Sequence, residues 1–354
     1  ERLFTANPGA ILLETEPGLT LEFAECIGTT CAEAAVTIGT VHLALSELLS
    51  AWRAPLEGVF PTKAEGGSGT IPAVSGIANC PTVAKHKVAR PRVFIPVFPG
   101  TNCEYDTEKA FTDAGADCDV FVLKNLTPAD IIESAAEMTK RIQNSQMIML
   151  PGGFSAGDEP EGSGKFIATV LRNPSIRDAV TELLEQRDGL MLGICNGFQA
   201  LVKLGLLPYG KICDLTDDSP TLTYNAIGRH VSQMVYTRVA SCLSPWLSGV
   251  RVGDIHAVPV SHGEGRFVAN EAWLRRLTEG GQIATQYVDL SGKPTYETAF
   301  NPNASVYAIE GITSPDGRIL GKMAHSERRG DNVAKNIYGE QDQKIFASGV
   351  AYFK

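Results

Sequence analysis

Between residues 90 and 204 the apolar positions of the chain fall into two alternating rhythms. Short, mainly apolar runs of strand length lie at residues 93–97, 118–123, 146–150 and 190–194. Between them, apolar residues recur at helical spacing: Ala110, Phe111 and Ala114; Ile131, Ile132, Ala135 and Met138; then residues 176–186. Thr127 and Pro128 open the second of these helices, with proline near the first-turn position that tolerates it. Strands alternating with helices predict a parallel sheet covered on both faces, the α/β class. In such sheets chemistry gathers at the carboxyl ends of the strands, where Gly100 to Cys103, the pair Gly152 and Gly153, and Cys195 all fall.

The flanking sequence has a different texture. After Pro208 extended stretches at 222–239, 256–260, 283–288, 306–310 and 321–324 predict a mixed-sheet extension, with a helix near 271–277. Before residue 58, residues 10–13, 19–23 and 36–41 read as strands, and Leu45, Leu48, Leu49 and Trp52 share one helical face. That is too little apolar surface for a fold of its own, and the segment reads as the end of an upstream domain of mixed α and β structure. Residues 58–90 carry Gly66, Gly67, Gly69, Pro72, Gly76 and Pro81 without periodicity, and predict a linker running along a surface. The domain from residue 91 to 354 then carries the chemistry.

Composition narrows the classes. A net charge of −9 offers no footprint for nucleic acid or an anionic membrane. No apolar run reaches the length of a membrane span, and no signal pattern opens the chain. Eight cysteines spread over 354 residues show neither metal-ligand spacing nor disulfide density, which suits a reducing cytoplasm.

Cys195 stands where the apolar run of 190–194 gives way to helical periodicity. Gly193 and Gly197 flank it, so the chain can turn sharply and present the sulfur beside the first N–H groups of a helix. The plainer alternative is a small buried hydrophobe in a strand-to-helix turn. A cysteine nucleophile needs a base, and His325 with Glu327 two residues on supplies one if the segment stays extended, so that both side chains project the same way. The competing picture is an exposed turn in which Glu327 pairs with Arg328 or Arg329. After the strand of 146–150, Gly153 is a natural oxyanion donor beside the N–H of Asn196. Residues 157–165 superficially suggest a phosphate loop, but Glu159 occupies the place of its first glycine, no hydroxyl residue follows Lys165, and the acids Asp158, Glu159 and Glu161 would repel phosphate. His256, His262 and Glu264 lack helical ligand spacing, so no metal site is expected. His262 lies in a loop-like stretch and borders the pocket instead. Cys103 is a rival nucleophile without a glycine elbow, and is expected to shape the edge of the site.

Taken together, Gly193-Ile194-Cys195-Asn196-Gly197-Phe198-Gln199, Pro151-Gly152-Gly153-Phe154-Ser155 and His325-Ser326-Glu327-Arg328 resemble the glutaminase domain of class I glutamine amidotransferases. More narrowly, Pro99 to Glu104, Gly152 to Asp158 and His262 to Phe267 resemble the phosphoribosylformylglycinamidine synthase family, over residues 91–354. Ser326 departs from the pattern, since many relatives carry proline there. The resemblance implies a flavodoxin-like mostly parallel sheet and a triad of Cys195, His325 and Glu327. It implies that Gln199 and His262 help hold glutamine, with no cofactor in this chain. It further implies a synthetase half, fused upstream or separate, that uses ATP and Mg2+ to convert formylglycinamide ribonucleotide to the amidine. Residues 1–57 are similar to the tail of that half. A cysteine hydrolase or peptidase on the same sheet, or a docking module without catalysis, are the alternatives.

Overall fold

The computed structural model describes residues 6–155 and 164–354, which fall into two compact units divided between Thr62 and Lys63. Of the phosphate-loop stretch 157–165, residues 157–163 lie outside the described residues. In the first unit, β1 (Ala35–Ile38) and β2 (Val41–Ala44) form an antiparallel hairpin, with Gly39 supplying the positive φ its tight turn needs. Helix α1 (Leu45–Glu57) follows and buries none of its residues. The runs at 10–13 and 19–23 pair with nothing and are not strands. Their apolar side chains, such as Ile11 and Phe23, are exposed, so the local pattern had no partner strand to complete it.

The second unit is built on one nine-stranded sheet. Its strands are β3 (Arg92–Val97), β4 (Asp117–Val122), β5 (Met147–Leu150), β6 (Leu190–Ile194), β8 (Val231–Val239), β9 (Ile255–His262), β11 (Ile283–Val288), β12 (Ile309–Thr313) and β13 (Ile319–Lys322), in the order β4-β3-β5-β6-β13-β12-β11-β8-β9. From β4 to β13 neighbours run parallel, and from β13 to β9 antiparallel. Strands β5 and β6, and β3 after its exposed Arg92, are apolar because both their faces are buried: Phe94, Ile148, Met149, Met191 and Leu192 are fully enclosed. Helices α2 (Glu104–Asp113), α3 (Pro128–Gln143), α4 (Lys165–Leu171), α5 (Pro174–Glu185), α6 (Asn196–Lys203) and the short α7 (Leu206–Tyr209) complete the parallel half. Helix α3 starts where the sequence says it should: Thr127 accepts from the Asp130 N–H at 3.2 Å while Asp130 accepts from the Thr127 N–H at 2.9 Å, a reciprocal cap with Pro128 in the first turn.

Three sequence expectations are corrected here. The stretch 306–310 is not one strand: residues 306–308 form a tight 3-10 turn, with Tyr307 and Ala308 at φ 52°, and β12 begins at Ile309. The stretch 222–239 is broken into β7 (Thr221–Tyr224) and β8. The loop-like residues after His262 are instead the start of β10 (Glu264–Val268), which pairs with β7 in a separate two-stranded sheet. Helix α8 (Glu271–Glu279) precedes β11, and α9 (Ile345–Tyr352) closes the chain.

Residues 63–90 belong to this unit. Ile71 and Val74 are buried, the Gly76 N–H donates to the Ala240 carbonyl at 2.8 Å, and the Val88 N–H to the Phe353 carbonyl at 2.8 Å. The glycines serve close approach: a Cβ on Gly66 would sit 2.2 Å from the Tyr296 carbonyl oxygen.

Candidate active site

Cys195 is the single residue between β6 and α6, at φ 53° and ψ −107°. A non-glycine residue there stores strain of roughly 1–3 kcal/mol, which persists only where the surroundings over-determine it. They do so from both sides. The Cys195 N–H donates to the Lys322 carbonyl on the neighbouring strand β13 at 2.8 Å, and its carbonyl accepts from the Gln199 N–H at 3.1 Å. Helix α6 can press back on the sheet because Gly197 has no side chain: a Cβ there would lie 2.0 Å from the Leu150 carbonyl oxygen. The result is a nucleophile elbow with its sulfur nearly buried, 3.8 Å from the Ser261 carbonyl.

Adjacent parallel strands bring the candidate base, His325, to it. In the β6–β13 register Ile194 lies opposite Lys322, so the residues that follow each strand emerge side by side at the carboxyl edge. The chain past Lys322 is no longer extended. His325 and Glu327 therefore meet through a turn rather than by strand alternation, with His325 Nδ1 2.6 Å from Glu327 Oε1 and the His325 N–H donating to the Pro259 carbonyl at 2.9 Å. Both side chains are buried. Glu327 thus pairs with neither arginine: Arg328 turns to Cys103 and Asp106, and Arg329 to Asp342. Burial disfavours the protonated ring, yet the Glu327 carboxylate and hydrogen bonds to Cys103, Cys195 and Glu327 outweigh it, and the His325 pKa lies well above its ordinary value. Burial likewise works to raise Glu327, but the imidazolium beside it holds that carboxyl below its usual range.

Gly153 follows β5 and bridges Thr101 after β3, at φ 143°. Its N–H and that of Asn196 donate to no acceptor among the described residues, leaving two amide donors at the carboxyl edge of the sheet. Gly152 makes room for the whole cluster. A Cβ there would lie 2.7 Å from His325 Cε1, 3.1 Å from Cys103 Sγ and 3.4 Å from Cys195 Cβ. The Gln199 amide is already engaged, donating to the Glu264 carbonyl and accepting from Asn196 Nδ2 at 3.0 Å, so it ties the start of β10 to the elbow. His262 is buried at the end of β9. Asn225 uses its Nδ2 on the carbonyls of Arg229 and His262, so its Oδ1, 3.2 Å from His262 Nδ1, makes that nitrogen the donor and leaves Nε2 an unpartnered acceptor. Burial first, then the nearby His325 and His230, pulls its pKa down to about 3.

Cys103 lies closer to the chemistry than the edge position expected of it. Its sulfur is buried, 3.9 Å from His325 Nδ1, 3.1 Å from Asn102 Oδ1 and 3.1 Å from Arg328 Nη2. Metal-ligand atoms of Cys103, His325 and Glu327 lie within 4.8 Å of one another, whereas His256, His262 and Glu264 form no such group among the described residues. His325 Nδ1 is already bonded to Glu327 Oε1 at 2.6 Å, with Cys103 the more distant of its two neighbours at 3.9 Å. Sequence reading passed over Arg328 as a partner of Cys103, and the only local sign was a basic residue directly after the Glu327 position.

A model of the CobB/CobQ-like glutamine amidotransferase domain matches residues 90–353. Among relatives, the phosphoribosylformylglycinamidine synthase subunit PurQ of Methanococcus maripaludis is 32% identical over 283 residues, covering 74% of this chain and 97% of the relative. The PurQ subunit of Symbiobacterium thermophilum is 34% identical over 265 residues, covering 74% and 96%. Among solved structures, that of PurLQS from Thermotoga maritima superposes with a TM-score of 0.54 at 26% identity, covering 75% of this chain and all of the matched one.

Proposed function

Since the chain belongs to the glutamine amidotransferase family that includes the PurQ subunits, we propose that Cys195 is the nucleophile of a glutaminase whose ammonia serves phosphoribosylformylglycinamidine synthesis. The overall reaction is glutamine plus water to glutamate plus ammonia. His325, with its raised pKa, takes the Cys195 thiol proton. The thiolate attacks the carboxamide carbon, and the oxyanion is held by the N–H groups of Gly153 and Asn196. Each such donor contributes about 10²–10³ in rate. The carbon–nitrogen bond breaks as His325 returns its proton to the departing ammonia, leaving a γ-glutamyl thioester. Water, deprotonated by the same ring, cleaves the thioester and restores the thiol. Glu327 keeps the ring in the tautomer that faces the sulfur and stabilises it when charged.

Glutamine lies against the junction of β9 and β10. There the unprotonated Nε2 of His262 accepts a hydrogen bond from substrate, and Gln199 braces the wall. The ammonia passes to a synthetase half, fused upstream or present as a partner subunit, where ATP and Mg2+ drive formation of the amidine in the cytoplasm. The observation that carries the reading is the Cys195 elbow facing a buried His325–Glu327 pair from the neighbouring strand. The test is ammonia release from glutamine by the whole chain and by Cys195→Ala. Loss of release with an unchanged unfolding midpoint supports it, and undiminished release in the variant refutes it.

A further inference from the structure

We infer that the buried ion pair of Lys322 and Glu310 is a positioning device that holds His325 in register with Cys195. The inference rests on the proposed role of His325 as the base. Lys322 is 1% exposed and Glu310 fully enclosed, with Nζ 3.2 Å from Oε1. A buried pair of this kind is weak evidence for stability, because desolvation of the two charges can exceed their attraction. Its partners show another use. Glu310 Oε1 accepts from the Ala324 N–H at 2.7 Å, while Lys322 Nζ donates to the Ala324 carbonyl at 2.6 Å. Both polar groups of the residue directly before His325 are therefore held by one ion pair, at the point where the strand ladder has ended. Glu310, on β12, is itself fixed from the neighbouring strand β11 by the Thr285 hydroxyl, which donates to Oε2.

Lys322 also reaches the nucleophile. Its carbonyl accepts the Cys195 N–H, so one residue is bonded through its main chain to the elbow and through its side chain to the approach of the base. Without the pair, the turn from 323 to 327 keeps the His325 N–H to Pro259 and the Ser326 hydroxyl to Gln343 as anchors, but the peptide groups flanking Ala324 are released. The Lys322 charge also adds to the effects that hold Glu327 below its usual carboxylate range.

Single removal of either charge strands the other in the core and can prevent folding, so the decisive variant is the double substitution Glu310→Met with Lys322→Met in the whole chain, which removes both the acceptor of the Ala324 N–H and the donor to its carbonyl. Replacing a buried pair with neutral groups of similar volume is often neutral for stability, so this variant is expected to fold with a near-unchanged unfolding midpoint. Its kcat for glutamine is expected to fall about 10- to 100-fold, as a shift of the base by part of an ångström would produce. KM should stay within about twofold, because no substrate contact is altered. The low-field proton resonance of the His325 Nδ1–H shared with Glu327 should shift or broaden. Wild-type kcat with an unmoved resonance overturns the inference, as does a loss of activity that only tracks the folded fraction. Cys195→Ala is assayed beside it: undiminished hydrolysis there defeats the triad itself, whereas an inactive Cys195→Ala with a fully active double variant defeats only the positioning role.

Discussion

Gly152→Ala adds one methyl group at the centre of the site. Gly152 is not in the left-handed region, so its backbone accepts alanine. The obstacle is contact. The new Cβ would lie 2.7 Å from His325 Cε1, against an ordinary carbon–carbon approach of about 3.5 Å, a shortfall of roughly 0.8 Å. Cys103 Sγ at 3.1 Å and Cys195 Cβ at 3.4 Å close the other sides. The imidazole must give way, and it can do so only by turning from the sulfur or stretching its 2.6 Å bond to Glu327. A misplacement near 1 Å costs about 10²-fold in rate, and overpacking costs about 1–3 kcal/mol in stability. Steady-state glutamate production beside urea unfolding separates the two. A folded Gly152→Ala protein with kcat within about threefold of wild type would refute the placement of His325 against Gly152 and Cys195 on which the ~10²-fold estimate rests.

Glu327→Gln removes the charge that most opposes the effect of burial on the imidazole, so its pKa falls; kcat should fall about 10³-fold with little change in KM, measured as ammonia release. The same variant reports on pH. The raised His325 pKa contributes stability that is complete below 6.5 and lost as pH rises through the raised value, while the lowered Glu327 pKa contributes stability present above 4.5 and lost as pH falls through its own value. The stability gap between wild type and Glu327→Gln, from urea unfolding across pH, should therefore be widest between 4.5 and 6.5. Gly197→Ala would gain about 1 kcal/mol of helix propensity, but its Cβ would meet the Leu150 carbonyl at 2.0 Å, so a net loss of about 1–3 kcal/mol is expected in the same assay.

The parallel half of the fold was legible because doubly buried strands leave unbroken apolar runs: residues 93–97 and 190–194 differ from β3 and β6 by at most one residue. The antiparallel half was read less well. Gly263 and Gly265 look like loop punctuation, yet Gly265 lies in a strand, where a Cβ would come within 2.6 Å of the His262 ring. Helix α9 escaped notice because it is apolar almost all round, with no polar face to give it a period. In the site, Cys195 was conspicuous because an elbow is a local pattern. The approach of Cys103 to His325 depends on the missing side chain of Gly152 in the loop after another strand, β5, which no local pattern encodes. Lys322 did leave a trace, a lone charge within an apolar strand, and its partner Glu310 is another.

The central claim is that glutamine is cleaved through a bond to the Cys195 sulfur. Acid quench of the whole chain during turnover of labelled glutamine, followed by peptide mass spectrometry, tests it directly. The account predicts a γ-glutamyl group on the peptide carrying Cys195. Label on Cys103 instead, or turnover with no covalent label at any quench time, would contradict it.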